Sequence, residues 1–215
     1  MLFTTVTRRR AHFLDFVLAS GRMIVEPAVT DFDSKLDAAL HSDKPIARDD
    51  AVRWIAVADD ISALSKLYRL TGERYYSIKP ELGRDETCSL IRRYLLECIR
   101  LNVTGRDDIQ DRWQAAQTLH AWFCHLMEQD GASSILTQAE QAITDLFLGG
   151  DNDIRNAIEA GFLEHALETA ALRPYFEHWS TDDRLSAAWS RAMEWGKAHP
   201  DFTWGMLKRV RDMRS

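Results

Sequence analysis

His165 sits on a stretch, Ile154 to Glu168, that also carries Arg155, Glu159 and Glu164. At about 100° per residue, Ile154, Ile158, Phe162 and Ala166 form one apolar face, and His165 falls between Ile154 and Ile158 on that wheel. The spacing predicts a largely buried imidazole. Arg155 and Glu159 share the same broad face and can pair at i,i+4. An imidazole held beside a carboxylate is the equipment of a general base; a structural hydrogen-bonded trio uses the same groups. Gly161, in mid-helix, costs about 1 kcal/mol relative to Ala, so close packing or function must account for it. A second pair, His120 and Cys124, has the i,i+4 spacing that sets two ligands side by side. Zinc would need further ligands from elsewhere. The pair also lies within an apolar stripe, so no metal site and no cofactor is expected, and both read as core groups.

Carboxylates are the other chemistry-bearing groups. From Glu140 to Asp183 there are ten acids against Arg155 and Arg173, a net of −8 where the whole chain carries −6. Asp151 and Asp153 open the helix that carries His165, and the wheel turns Glu164 and Glu168 outward. An acidic face of that kind steers a basic partner and raises its association rate more than its affinity. A solvated face that keeps the protein soluble has the same composition.

The elements that would position these groups are helices. Asp49–Leu70 reads as one amphipathic helix, with Asp49 as its cap, Asp59 and Asp60 projecting to solvent, and Gly72 closing it. Further helices are expected near Asp85–Leu101, Asp107–Gln129, Ser134–Gly149 and Asp151–Thr169. The stripe of the third of these five includes Ile109, Trp113, Ala116, His120, Phe123, Cys124 and Met127. Pro174 opens a short aromatic turn, Tyr175–Trp179. A last helix follows Ser180–Asp183, buries Leu185, Ala188, Trp189 and Ala192, and ends at His199-Pro200. In the first 48 residues helices are expected near Arg9–Ala19 and Asp33–Leu40. Met23–Val25 and Tyr75–Ile78, each before a proline, could be extended. Spacers are mostly short, which favours antiparallel neighbours. The expectation is one all-α domain over 1–215, a helical bundle or stacked array of about seven or eight helices. Its main body is 49–199 and its tail, 200–215, is basic.

Composition narrows the function classes. The chain has 215 residues, 46% hydrophobic, enough to bury a substantial core. Disordered, collagen-like and disulfide-scaffold classes are excluded, and the negative net charge is the wrong sign for a general nucleic-acid binder. The basic stretch with Lys208, Arg209, Arg211 and Arg214 reads as a solvated helix end. Cys88, Cys98 and Cys124 are odd in number, form no CxxC and read as buried thiols, which suits a reducing compartment. His12 and Asp15 interrupt the apolar run after Arg8–Arg10, so it reads as an amphipathic helix rather than an export signal. No run is long enough to cross a membrane. A cytoplasmic location is expected.

Two resemblances bear on function. Asp107-Asp108-Ile109-Gln110-Asp111 resembles the DDxxD motif of isoprenoid synthases, which implies Mg²⁺ held against a diphosphate. Asn152-Asp153-Ile154-Arg155-Asn156-Ala157-Ile158-Glu159 is similar to the second metal motif of terpene cyclases. Its Glu159 comes one residue early, and Asn156 stands where Ser or Thr is expected. Acids that open helices favour the dipole in any case, and that is the reading preferred for both. Separately, Ala157–Glu168, with Leu172-Arg173-Pro174-Tyr175-Phe176 and Ala187-Ala188-Trp189, is similar to uncharacterised all-helical bacterial proteins of the toxin-immunity type. That resemblance covers the last third of the chain and implies a bacterial cytoplasmic binding protein without a catalytic motif. The expected function is therefore non-enzymatic binding of another protein, such as a basic toxin, through Asp151, Asp153, Glu164 and Glu168. The alternative is a small-molecule enzyme or metal protein built from His120, His165, Glu159 and Arg155.

Overall fold

A computed structural model describes residues 28–203 together with Gly205, Met206 and Arg209. The expected helix near Arg9–Ala19 and the extended Met23–Val25 lie outside the described residues. Among those described, nine α-helices follow in order: α1 (Ala28–His41), α2 (Arg48–Val57), α3 (Ile61–Glu73), α4 (Arg84–Leu101), α5 (Arg112–Met127), α6 (Ser133–Gly149), α7 (Asn152–Ile158), α8 (Glu164–Glu168) and α9 (Ser186–Ala198). The fold is all-α, as the periodicity implies. A parallel two-stranded pairing, β1 (Ile46–Ala47) with β2 (Ile78–Lys79), ties the start of α2 to the turn after α3. The residues before β2, Tyr75–Ser77, form a 3-10 turn rather than an extended run.

The expected single helix Asp49–Leu70 is broken in two. Asp60 is exposed as expected, but it also takes the N-cap of α3 and accepts the Ala63 backbone N–H at 2.9 Å. Arg93 of α4 closes the end of α2, donating from Nη1 to Ile55 O at 2.6 Å and from Nη2 to Ala58 O. A capping carboxylate on one side of the break and a guanidinium on the other satisfy the backbone groups that an unbroken helix would have used. Ala47, without a side-chain bond, is the N-cap of α2, and Asp49 lies in its first turn. Gly72 lies inside α3, which ends one residue later.

Downstream the helices follow the sequence more closely. Asp111 caps α5 through Gln114 N, while the Gln114 amide oxygen accepts from Asp111 N, a reciprocal capping box. Trp113 is the exception in its stripe, 44% exposed at the start of α5. The stretch from Asn152 to Glu168 is continuous but widens into a π turn over Glu159–Leu163. Gly161 lies in that turn, where an added Cβ would come 2.8 Å from the Ala116 Cβ of α5. Close packing accounts for this glycine. Arg173–Ser180 forms the 3-10 turn that Pro174 opens.

One contiguous core runs from Leu36 to Met193. α3 packs on α1 and α4, α4 on α5, and α9 lies along α8. At its centre Phe123, Phe162, Phe176 and Trp179 meet edge-on or tilted, with centroids 5.1–6.1 Å apart, the geometry that aromatic quadrupoles favour. The buried Trp179 indole donates to Thr144 Oγ1 at 2.8 Å, and Thr144 donates to the equally buried Glu140 at 2.6 Å. All three cysteines are buried thiols.

Candidate functional site

The two histidines converge. His120 of α5 and His165 of α8 face each other with ring centroids 5.7 Å apart. His120 is buried, its Nε2 3.2 Å from Cys124 Sγ. Burial first, and then the neighbouring His165, push its pKa down to about 4, so it is neutral near pH 7. The His165 side chain keeps 21% of its surface, less enclosed than its wheel position implies. Its Nδ1 lies 2.9 Å from Glu168 Oε1 and 3.1 Å from Thr203 Oγ1.

Glu168 is the centre of this node and corrects the sequence reading. Expected on an outward partner-binding face, its side chain has 0% of its surface exposed. Its Oε1 accepts from Trp195 Nε1 at 3.1 Å and Thr203 Oγ1 at 3.2 Å; its Oε2 accepts from Thr203 N at 2.7 Å. Burial alone would raise this carboxyl, yet His165 and the other donors hold it below its ordinary value. A helical wheel assumes one covered face, whereas this helix is covered on two. Gly161, Phe162 and Leu163, then Ala166, Leu167 and Glu168, are buried in consecutive runs. α5 lies on one side, and on the other α9 crosses so closely that a Cβ on Gly196 would come 2.5 Å from Leu167 C and O.

Arg155 and Glu159 do not join the histidines, nor do they pair with each other. Glu159 takes Arg191 of α9 in a two-bond fork at 2.6 and 2.7 Å. Arg155 donates to Phe147 O at 3.1 Å and Leu148 O at 3.3 Å, closing the end of α6. Both residues line a separate open groove of about 690 Å³ between α7 and α9. Asn152 and Asn156 stand on its α7 wall, and Arg184 and Arg191 on the opposite wall. Ala187 and Ala188 also line it. Arg184 and Arg191 were not singled out by the sequence reading, because their place beside α7 depends on a contact across about thirty residues.

Acidity concentrated in the sequence is dispersed in space. Glu140 and Glu168 are buried. Glu159 is bound to Arg191, Asp182 lies 3.5 Å from Arg184, and Asp153 lies 3.9 Å from the nearly buried Arg112. Glu164 is half-buried, and burial holds its carboxyl above the ordinary value. Asp151 is exposed but commits one oxygen to capping α7 through Ile154 N at 2.8 Å. Asp151 and Asp153 remain at the surface, and Asp153 lines the groove together with three arginines.

The DDxxD residues have local duties. Asp108 pairs with Arg106 at 2.6 Å and Asp111 caps α5. Among the described residues, no three His, Cys, Asp or Glu side chains come together as a set that could hold a metal ion. No described helix is long and apolar enough to cross a membrane. Comparison with protein-family models, curated proteins and solved structures finds no match to this chain.

Proposed function

We propose that this chain is a non-enzymatic protein-binding protein, of the toxin-immunity kind that its last third resembles, acting in the cytoplasm. The observation that supports it is the separation of the candidate groups. His165 and Glu168 hold α8, α9 and Thr203 together, and His120 is shut into the core beside them. Arg155 and Glu159 lie apart, on the α7–α9 groove. General acid–base chemistry needs its proton carriers within reach of one bound substrate. A face that offers unengaged amides and guanidinium edges suits recognition instead. The partner surface is mixed in charge, with Asp153 beside Arg155, Arg184 and Arg191 on the groove and Asp151 at the head of α7.

A purified stoichiometric complex tests this reading. The expected result is a single protein partner that binds saturably and protects the amides of α7 and α9 from hydrogen exchange. Small-molecule turnover that vanishes in His165→Ala, with the fold intact, would replace it with the enzymatic alternative.

A further inference from the structure

We propose that the groove between α7 and α9 holds an extended, acidic segment of the partner protein. The inference rests on the binding reading above and adds what the groove itself recognises. Asn152 and Asn156 are spaced i,i+4 on α7, about 6 Å along its axis. An extended chain repeats every two residues, about 6.7 Å, so both amides reach equivalent main-chain groups on one side of it. Each amide offers an acceptor and two donors, enough to take a peptide C=O and N–H together. Both residues are exposed, and neither side chain has a hydrogen-bond partner among the described residues.

The guanidiniums supply the preference for acid. Arg155 spends Nε and Nη2 on the α6 carbonyls, and Arg191 spends Nε and Nη2 on Glu159. Each is thus held in place with its Nη1 edge uncommitted. Arg184 has a side chain 68% exposed, with Asp182 3.5 Å from its Nη2. Such forks match carboxylates in geometry as well as charge. Glu159 has both oxygens on Arg191, and the groove walls set three arginines against the two acids Asp153 and Glu159, an excess of guanidiniums. A basic segment would set its cations against them. Ala187 and Ala188 give the wall room for a backbone, and about 690 Å³ lies within the usual range for ligand sites. Clustered arginines are a recurring means of recognising acidic motifs.

The test uses fluorescein-labelled decaglutamate as probe and labelled decalysine as its opposite, read by fluorescence anisotropy at about 20 mM salt, where screening is weak. Decaglutamate is expected to bind and decalysine not. Arg184→Glu and the uncharged pair Asn152→Ala/Asn156→Ala should each weaken binding about tenfold or more, with unchanged circular dichroism. Loss in the asparagine pair reports the main-chain grip, which bulk charge cannot imitate. The inference is overturned if decaglutamate does not bind, if the asparagine pair has no effect, or if inorganic pyrophosphate binds as tightly as the peptide. A protein partner whose hydrogen-exchange footprint avoids α7 and α9 would overturn the inference while leaving the binding reading in place.

Discussion

Glu168 accepts the Thr203 backbone N–H at 2.7 Å across 35 residues of chain, and so fastens the segment after α9 to the end of α8. The Asp201 N–H bonds to the Glu168 carbonyl at 3.2 Å, a second tie at the same place. Charged acceptors make the stronger hydrogen bonds, each contributing about 1.5–3 kcal/mol. Glu168→Gln keeps the shape, loses the charge and places an amide N–H₂ among donors. We expect it to cost about 2–4 kcal/mol in urea unfolding and to speed hydrogen exchange at the Thr203 amide. Unchanged exchange at Thr203 would show that the carboxylate does not hold the segment.

The same node sets an acid limit on stability. His120 has a folded pKa near 4 against 6.5 for the free side chain. Between those values the unfolded chain takes up a proton that the folded chain refuses, so stability falls as pH drops from 6.5 to 4. The loss is on the order of 3 kcal/mol. Glu168 acts below that window. Its folded pKa is depressed from 4.5, so its contribution is complete above 4.5 and is lost as pH falls through the folded value. His120→Gln should flatten the dependence between pH 6.5 and 4 and keep the steeper loss below. An unaltered slope in this variant would assign the titration to another group.

Charge reversal separates the buried acids from the surface ones. Glu168→Lys places a cation in a pocket of donors and should abolish folding, since an uncompensated buried charge costs several kcal/mol. Asp153→Lys, at a side chain 86% exposed, should shift the urea midpoint by no more than about 0.5 kcal/mol equivalent. Equal tolerance at both positions would return Glu168 to the surface where the helical wheel had put it.

Two glycines mark where helices approach most closely. The Gly196 Cβ position meets Leu167 main-chain atoms, which cannot rotate away, whereas that of Gly161 meets a methyl group and the Trp113 ring. Gly196→Ala should cost about 2–3 kcal/mol and Gly161→Ala less, because overpacking is partly offset by about 1 kcal/mol of helix propensity. Thermal unfolding of the two variants gives the order directly.

Local rules made most of the fold legible. Stripes at helical spacing placed α4, α6 and α9 within a few residues, and the apolar face Ile154, Ile158, Phe162 and Ala166 is buried throughout. Misreadings arose where a remote partner decided the outcome. Arg93 closes α2 from 35 and 38 residues away, which the run Asp49–Leu70 does not reveal. Glu168 is covered by a helix that begins eighteen residues later. The groove was half visible: Asn152, Asn156 and Glu159 stand on one face of a helix, but the arginines opposite come from α9 and the turn before it. Counting charge along the chain gave an acidic patch, and folding set Arg184 and Arg191 into it.

The central claim is that binding takes place on the α7–α9 groove while the histidine–glutamate node serves as scaffold. Hydrogen exchange of the protein with and without saturating decaglutamate tests it most directly. Slowed exchange confined to residues 152–159 and 184–191, with the amides around His120 and His165 unchanged, is the predicted result. Protection centred on 120–124 and 165–168, with the groove unaffected, would contradict the account.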